Sequence, residues 1–432
     1  MKPSLPTAGA LTTLVGVILA APVHSAPPSP RFALGINEAV AVPDKAVREH
    51  MMDRPGVARH LQKDAGRALL LGARYVRGNT GAFPRSSWWS SQNEPESADY
   101  TDLWVQTVQA NGLEPVLMVS PWPGNRTGKY TGRYVPEDLD AYTAWVRTLV
   151  ERYDGDGIQD MPGLRAPIRY WEVDNEPDLK FTSPPKDATA HLAPGTFCTP
   201  AEAAEVLLAT AGAIRAAHPD ARILNGGIFR PHAETGRDYL QKLLAVPGAG
   251  AAFDILSLHS YATDEPGRTY ARGLAEARTI AGGKPIFVTE TSVPSSGDER
   301  WMTPEWQARM VASVVARGAI AGAEAVFWHT LADPPPDAPA KGGFGKHSLL
   351  ETRADGSVVD KPAAVVYRNL AGKLATNELF GAVQDGGGAR LGNGAVLLYE
   401  GPRLAPHGGM NLLDGSPIPP GGTAWAPAWV DP

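Results

Sequence analysis

Eight times along the chain a short apolar run gives way to a segment with helical spacing, and this alternation narrows the fold more than any other feature. The runs are Phe32–Asn37, Ala73–Arg77, Glu114–Ser120, Ile168–Glu176, Ile223–Gly227, Phe253–His259, Pro285–Glu290 and Ala323–Trp328. They are apolar throughout rather than alternating, the pattern of parallel strands covered by helices. The segment after the first run is typical of the rest: Val57, Leu61, Ala65 and Leu69 recur at helical spacing. The last unit closes with a helix predicted from Pro362 to Leu374. Units that recur at roughly 30 to 55 residues fit an α/β fold of the (β/α)8 TIM barrel type. A doubly wound open sheet is the rival, but it usually brings a Gly-rich phosphate turn after its first strand. Gly35-Ile36-Asn37-Glu38 is not such a turn.

The flanks read differently. Lys2, an uncharged run from Ala8 to Ala21 and then Pro22-Val23-His24-Ser25-Ala26 have the order of a secretory signal peptide over residues 1–26. A secreted or periplasmic protein is therefore expected. The apolar run is short for a membrane span, so no stable membrane insertion is expected after cleavage. The barrel is expected over residues 27–376. From 377 to 432, turn clusters such as Gly386-Gly387-Gly388, Gly392-Asn393-Gly394 and Asp414-Gly415 separate short β-like runs. This tail reads as a small β-rich appendage packed on the barrel.

Composition excludes several classes. A net charge of −6 offers no basic footprint for nucleic acid. Cys198 is the only cysteine, which rules out an internal disulfide and a Cys-rich metal site. The histidines are scattered, and there is no His-Glu-x-x-His motif, no P-loop and no Gly-x-Ser-x-Gly elbow. Neither metal nor cofactor is expected.

A parallel barrel places its site at the carboxyl ends of the strands. Those ends carry Arg77 on strand two, Trp122 just beyond strand three, and Asn175-Glu176 on strand four. His259-Ser260-Tyr261 end strand six, Glu290 ends strand seven, and Trp328-His329 end strand eight. Strand four stops where Pro177 cannot continue the ladder. Its three acids, Glu172, Asp174 and Glu176, would share a face if the strand stayed regular. Glu172 is expected to be buried and structural, whereas Asp174 either lines the site or supports a loop. His329 is expected behind the residues that touch a ligand. Trp88 and Trp89, in a polar Ser-rich loop, read as aromatic walls, and Trp301 as a weaker candidate of the same kind. Trp104, Trp145 and Trp306 read as helix packing.

Glu176 and Glu290 thus face each other across the mouth. Two carboxyl groups flanking an anomeric carbon are what glycosidic cleavage needs: about 5 Å apart for retention, about 6.5–9.5 Å apart for inversion. The segments Trp171–Asp178 and Ile286–Thr291 resemble the acid/base and nucleophile signatures of clan A glycoside hydrolases, most closely family 39. His259-x-Tyr261 and Lys361-Pro362-Ala363…Tyr367-Arg368-Asn369-Leu370 fit the same pattern, although Asp174 stands where that family more often has an aromatic residue. The resemblance implies a retaining enzyme acting on a β-linked oligo- or polysaccharide. It implies Glu176 as acid/base, Glu290 as nucleophile and Asn175 as a donor to the sugar 2-hydroxyl. It also implies Arg77 and Tyr261 as partners of the nucleophile, and Trp328 as the platform under the sugar. Arg77 would favour ionised Glu290, whose charge would help Glu176 keep its proton. Transglycosylation shares this chemistry, and a glycan-binding barrel without catalysis is the competing class.

Overall fold

The computed structural model describes residues 32–37, 54–78, 87–93, 99–121, 134–182, 198–262, 267–295, 302–336, 346–375, 379–383 and 387–432. Trp122, Trp301 and the leader over 1–26 lie outside the described residues, as does the side chain of Trp89.

Eight strands close into a barrel in sequence order: β1 (Ala33–Asn37), β2 (Tyr75–Arg77), β3 (Glu114–Val119), β4 (Tyr170–Asn175), β5 (Arg222–Phe229), β6 (Leu256–His259), β7 (Ile286–Thr291) and β8 (Ala323–His329). All neighbours are parallel, and β8 returns to pair with β1, so that Asn37 lies beside both Arg77 and His329. The architecture is a (β/α)8 TIM barrel. Helices follow the strands and seal their outer faces. Their starts carry the expected signals: Thr199 and Glu202 form a reciprocal capping box before the helix Pro200–Ala217, and Thr303 caps the helix Pro304–Ile320. The Trp88 segment, expected as loop, is instead a short helix, Trp88–Asn93. No helix among the described residues is long and apolar enough to cross a membrane.

The barrel's floor is an aromatic plug. Tyr75, Tyr170, Phe287 and Phe327 pack with ring centroids 5.4–5.8 Å apart. Each such pair adds about 0.5–1.5 kcal/mol beyond burial. A Cβ on Gly35 would come within 2.5 Å of the Phe327 ring, so glycine on β1 is what lets this plug form. Side chains alternate along a strand. Two residues further on, Gly35, Tyr75, Tyr170, Phe287 and Phe327 therefore become Asn37, Arg77, Glu172, Thr289 and His329. One step up the barrel, the interior changes from aromatic to polar.

After the barrel come a two-stranded ribbon, β9 (Leu350–Thr352) with β10 (Val358–Asp360), and the last helix, Pro362–Leu374. Tyr367 of that helix donates to the carbonyl of Gly35 at 3.0 Å, tying the end of the barrel to its first strand. The tail forms a six-stranded sheet of β11 (Leu379–Val383), β12 (Gly388–Leu391), β13 (Val396–Leu398), β15 (Gly409–Asn411), β16 (Pro417–Ile418) and β18 (Ala428–Val430). A separate ribbon pairs β14 (Pro402–Ala405) with β17 (Gly422–Trp425). Strands β11 to β13 pack against the helix Pro304–Ile320.

Candidate active site

Arg77 is the hub of the polar layer and is fully buried. Its Nε donates to Glu172 Oε2, Nη1 donates to Asn37 Oδ1 at 3.0 Å and to Glu290 Oε1 at 2.9 Å, and Nη2 donates to Asn175 Oδ1 at 2.8 Å. A planar, rigid fork of donors is suited to holding four groups from three strands in place. Glu172 accepts in addition from Ser257 at 2.5 Å and Thr289 at 3.2 Å. Every oxygen of this buried acid is therefore engaged inside the barrel, where it balances Arg77 rather than facing the mouth.

The two acids that do face the mouth get there by breaking the alternation. On β7, Phe287 and Thr289 point inward, so Glu290 should point out. The pairing shifts instead: Leu258 lies beside Val288, but His259 lies beside Glu290, one extra residue on β7. A second shift occurs against β8, between Val288 and Thr291. Such bulges re-aim a side chain, and here Glu290 turns in beside Arg77. Its other oxygen accepts from the Tyr261 hydroxyl at 2.7 Å.

On β4 the break is torsional. Asp174 and Glu176 adopt positive φ, 68° and 47°. That region costs a residue with a Cβ roughly 1–3 kcal/mol. The three acids are thereby separated. Glu172 points down to Arg77, Asp174 is buried against Ser120 (2.8 Å) and the Tyr134 hydroxyl, and Glu176 reaches His259. Glycines on β5 make room for this. A Cβ on Gly226 would lie 2.7 Å from the Val173 carbonyl and 3.2 Å from that of Asp174, and one on Gly227 would lie 2.1 Å from His259 Nε2. Asp178 then fastens the strand end by accepting the Phe229 N–H at 3.0 Å.

His259 sits between the two acids. Its Nδ1 is 2.8 Å from Glu176 Oε1 and 3.5 Å from Glu290 Oε2. Burial by itself would lower the pKa of this ring, but the charges of Glu290 and Glu176 prevail and raise it. Burial would likewise push the Glu290 carboxyl up. The neighbouring His259, His329 and Arg77 and the Tyr261 hydrogen bond outweigh it and hold Glu290 well below the ordinary carboxylate range. Oxygens of Glu176 and Glu290 lie within 4.8 Å of each other, with His259 Nδ1 or Nε2 inside the same limit. Those three residues could offer ligands to a metal ion, but the Arg77 guanidinium already occupies the cationic position beside Glu290.

Of the residues singled out from the sequence, Arg77, Asn175, Glu176, His259, Tyr261 and Glu290 come together. Two others, Trp328 and Trp88, differ from expectation, and Asp174 takes the second of the two roles open to it. Trp328 is 1% exposed and belongs to the outer core, with its indole N–H donating to the His347 carbonyl at 2.8 Å. Phe327 and His329 take the inward positions on β8, and the alternation turns Trp328 to the helices, so it offers no platform. Asp174 supports the loop at Tyr134 and Ser120 and does not line the mouth. Trp88 is half-buried against Tyr142 and Trp145, with ring centroids 6.1 Å and 5.7 Å away, and packs rather than forming an open wall.

Asn37 was missed from the sequence. Its Oδ1 accepts from Arg77, so its Nδ2 must be the donor to His329 Nδ1 at 2.9 Å. His329 in turn stands edge-on to Tyr261, centroids 6.4 Å apart. The clue was available: Asn37 lies two residues above Gly35, on the inward parity of β1.

No family model matches the chain, and no curated protein does. Solved structures do match. A family 39 glycoside hydrolase from the gut symbiont Bacteroides cellulosilyticus WH2 aligns over 93% of this chain and 80% of its own, with a TM-score of 0.59 at 14% identity. A monomeric β-xylosidase from Caulobacter crescentus CB15 aligns over 84% and 73%, with a TM-score of 0.53 at 19% identity. A family 5, subfamily 18 protein from Streptomyces cattleya, in complex with Manβ1-4GlcNAc, aligns over 80% of both chains, with a TM-score of 0.55 at 16% identity. The fold is that of the clan A glycoside hydrolases. At these identities the likeness is one of fold.

Proposed function

We propose that the chain is a secreted, retaining glycoside hydrolase that cleaves a β-linked oligo- or polysaccharide through a glycosyl-enzyme intermediate. The observation that carries this reading is the short gap between the Glu176 and Glu290 carboxylates, within 4.8 Å. A gap of about 5 Å leaves no room for a water between the second carboxylate and the sugar and favours direct attack by that carboxylate. The leader over residues 1–26 supports export.

In the first step a Glu290 oxygen attacks the anomeric carbon. The glycosidic C–O bond breaks, and its electron pair leaves on the aglycone oxygen, which takes the proton from Glu176. A glycosyl ester on Glu290 and a free alcohol result. In the second step Glu176, now a carboxylate, takes a proton from water. The water oxygen attacks the anomeric carbon and the Glu290 carboxylate departs. Two inversions retain the configuration.

The surroundings suit each role. Arg77 and Tyr261 stabilise Glu290 as an anion, the form a nucleophile and leaving carboxylate needs. His259 Nδ1 holds Glu176 Oε1 at 2.8 Å and so positions the acid. Asn175 gives its oxygen to Arg77, which turns its NH2 outward as a donor for the sugar 2-hydroxyl.

Trapping tests this reading. Incubation with a panel of activated 2-fluoro glycosides, followed by peptide mass mapping, should place one sugar on Glu290. A label on another residue would take the nucleophile's role from Glu290, and a chain left unlabelled by the whole panel would count in favour of a glycan-binding barrel without catalysis.

A further inference from the structure

A second feature lies outside the barrel mouth. On the β14–β17 ribbon, Pro402 is paired with Trp425 and Leu404 with Thr423, and all four are exposed. Trp425 is 66% exposed and Leu404 60%, while their strand neighbours Ala405 and Ala424 are buried. One face of the ribbon therefore presents an open indole with aliphatic flanks. The indole borders a crevice of about 340 Å³ between the ribbon and the helix Pro304–Ile320. Met310 and Tyr399 supply its apolar lining and Arg309 and Glu400 its polar groups, while Ser313 lies buried at its base with its hydroxyl accepting from Arg317. That polar rim is held in place: Arg317 donates to Glu400 Oε1 and stacks 4.9 Å from the Tyr399 ring.

We propose that this crevice is a second, non-catalytic glycan site, with Trp425 as its platform. The inference rests on the reading of the barrel mouth as acting on a glycan. Sugar rings present C–H faces that stack on an indole and equatorial hydroxyls that need donors and acceptors at the edge; an open tryptophan beside an arginine and a carboxylate meets both needs. Size argues against a protein partner. Four exposed side chains on a two-stranded ribbon fall far short of the roughly 20–30 residues a side in a stable interface, whereas the crevice is of a size for one or two sugar units. Position suits a polymer. The helix Pro304–Ile320 follows β7, so it starts at the end of the barrel where the mouth opens. Arg309 and Ser313 sit roughly 8–14 Å down from that start at 1.5 Å per residue. A chain held there is tethered to the outer wall of the same molecule that cuts it.

Affinity electrophoresis of the full chain carrying Glu290→Gln, which leaves polymer uncut, tests this directly. The gels would contain soluble xylan, mixed-linkage β-glucan or galactomannan. Retardation is expected in at least one, with Trp425→Ala weakening the affinity about tenfold and Trp425→Tyr largely restoring it. With Glu290 intact, Trp425→Ala should hydrolyse small aryl glycosides within about twofold of the parent chain and lose rate only on the polymer. Retardation that survives Trp425→Ala, or none in any gel, would overturn the proposal. A doubled sedimentation mass that Trp425→Ala halves would also overturn it, in favour of self-association. Retardation without aryl glycoside hydrolysis would leave this site standing and sink the catalytic reading of the mouth.

Discussion

Neighbouring strands β7 and β8 end in opposite ways. On β8 the alternation of side chains runs undisturbed against β1 from Ala325 to the strand end, so Phe327 and His329 point inward and Trp328 is delivered to the helices. On β7 a register shift on either side turns Glu290 inward against its parity. Both strands end in residues that looked functional in the sequence. On this pair of strands the acid reaches the mouth through a departure from regularity, and the indole, without one, does not. The positive φ values of Asp174 and Glu176 repeat the lesson on β4. Strain of this sort persists where surrounding contacts hold it, and here Arg77, His259 and the glycines of β5 do so.

The largest effect that would sharpen the contrast is at Glu290 itself. Glu290→Gln should cut turnover on an aryl glycoside by on the order of 10⁴-fold or more, and should also lower the unfolding midpoint, because buried Arg77 loses an ionised partner. Glu176→Gln should cost roughly 10²–10⁴-fold, with a smaller loss when the leaving group is a good one, because an activated aglycone needs less proton donation. A loss independent of the leaving group would remove Glu176 from the acid role.

Gly227→Ala tests the support rather than the acids. Its Cβ would meet His259 Nε2 at 2.1 Å, so the ring that holds Glu176 must move. A misplacement of about 1 Å can cost roughly 10²-fold, and kcat on the aryl glycoside should fall by about that much. An unchanged kcat would show that His259 does not position the acid. The smallest effect belongs to Trp328. Trp328→Phe loses one ring of the buried indole and the hydrogen bond to His347, roughly 2–3 kcal/mol of stability, with KM within about twofold. A large rise in KM would restore Trp328 as a platform and undo the contrast between the strands.

The pH profile follows from the same network. Glu290 has a lowered folded pKa, so its ion pair stabilises the chain at and above the ordinary carboxylate value and is lost as pH falls through the lower one. The acid limb of activity should accordingly lie below the ordinary carboxylate range. His259 has a raised pKa, so its contribution is complete below the ordinary histidine value and is lost as pH rises through the higher one. The alkaline limb should lie above the ordinary histidine value, where His259, the ring that holds Glu176, loses its charge. A profile flat over the stable range would contradict both assignments.

Much of this was legible in the sequence because it depends on periodicity. Apolar runs followed by helical spacing give a closed parallel barrel, and a barrel tells which end of each run faces the mouth. Arg77, Glu176 and Glu290 could be singled out because a charged residue ending an apolar run is costly unless engaged. The orientation of each side chain was less accessible. Trp328 and Asn37 could have been placed correctly by carrying the Gly35 and Phe327 parity to the strand ends. Glu290 could not, because a bulge depends on the packing of neighbouring strands. Nor could Asp174, whose partner Tyr134 lies 40 residues away, beyond β3.

The central claim is that Glu176 and Glu290 stand close enough for direct attack. Proton NMR of the anomeric signal during hydrolysis of an aryl β-glycoside reads the outcome before mutarotation obscures it. The first-formed sugar should carry the β-anomeric doublet, with the α form growing in later; an α doublet from the earliest spectrum would mean inversion by water and would contradict the double displacement.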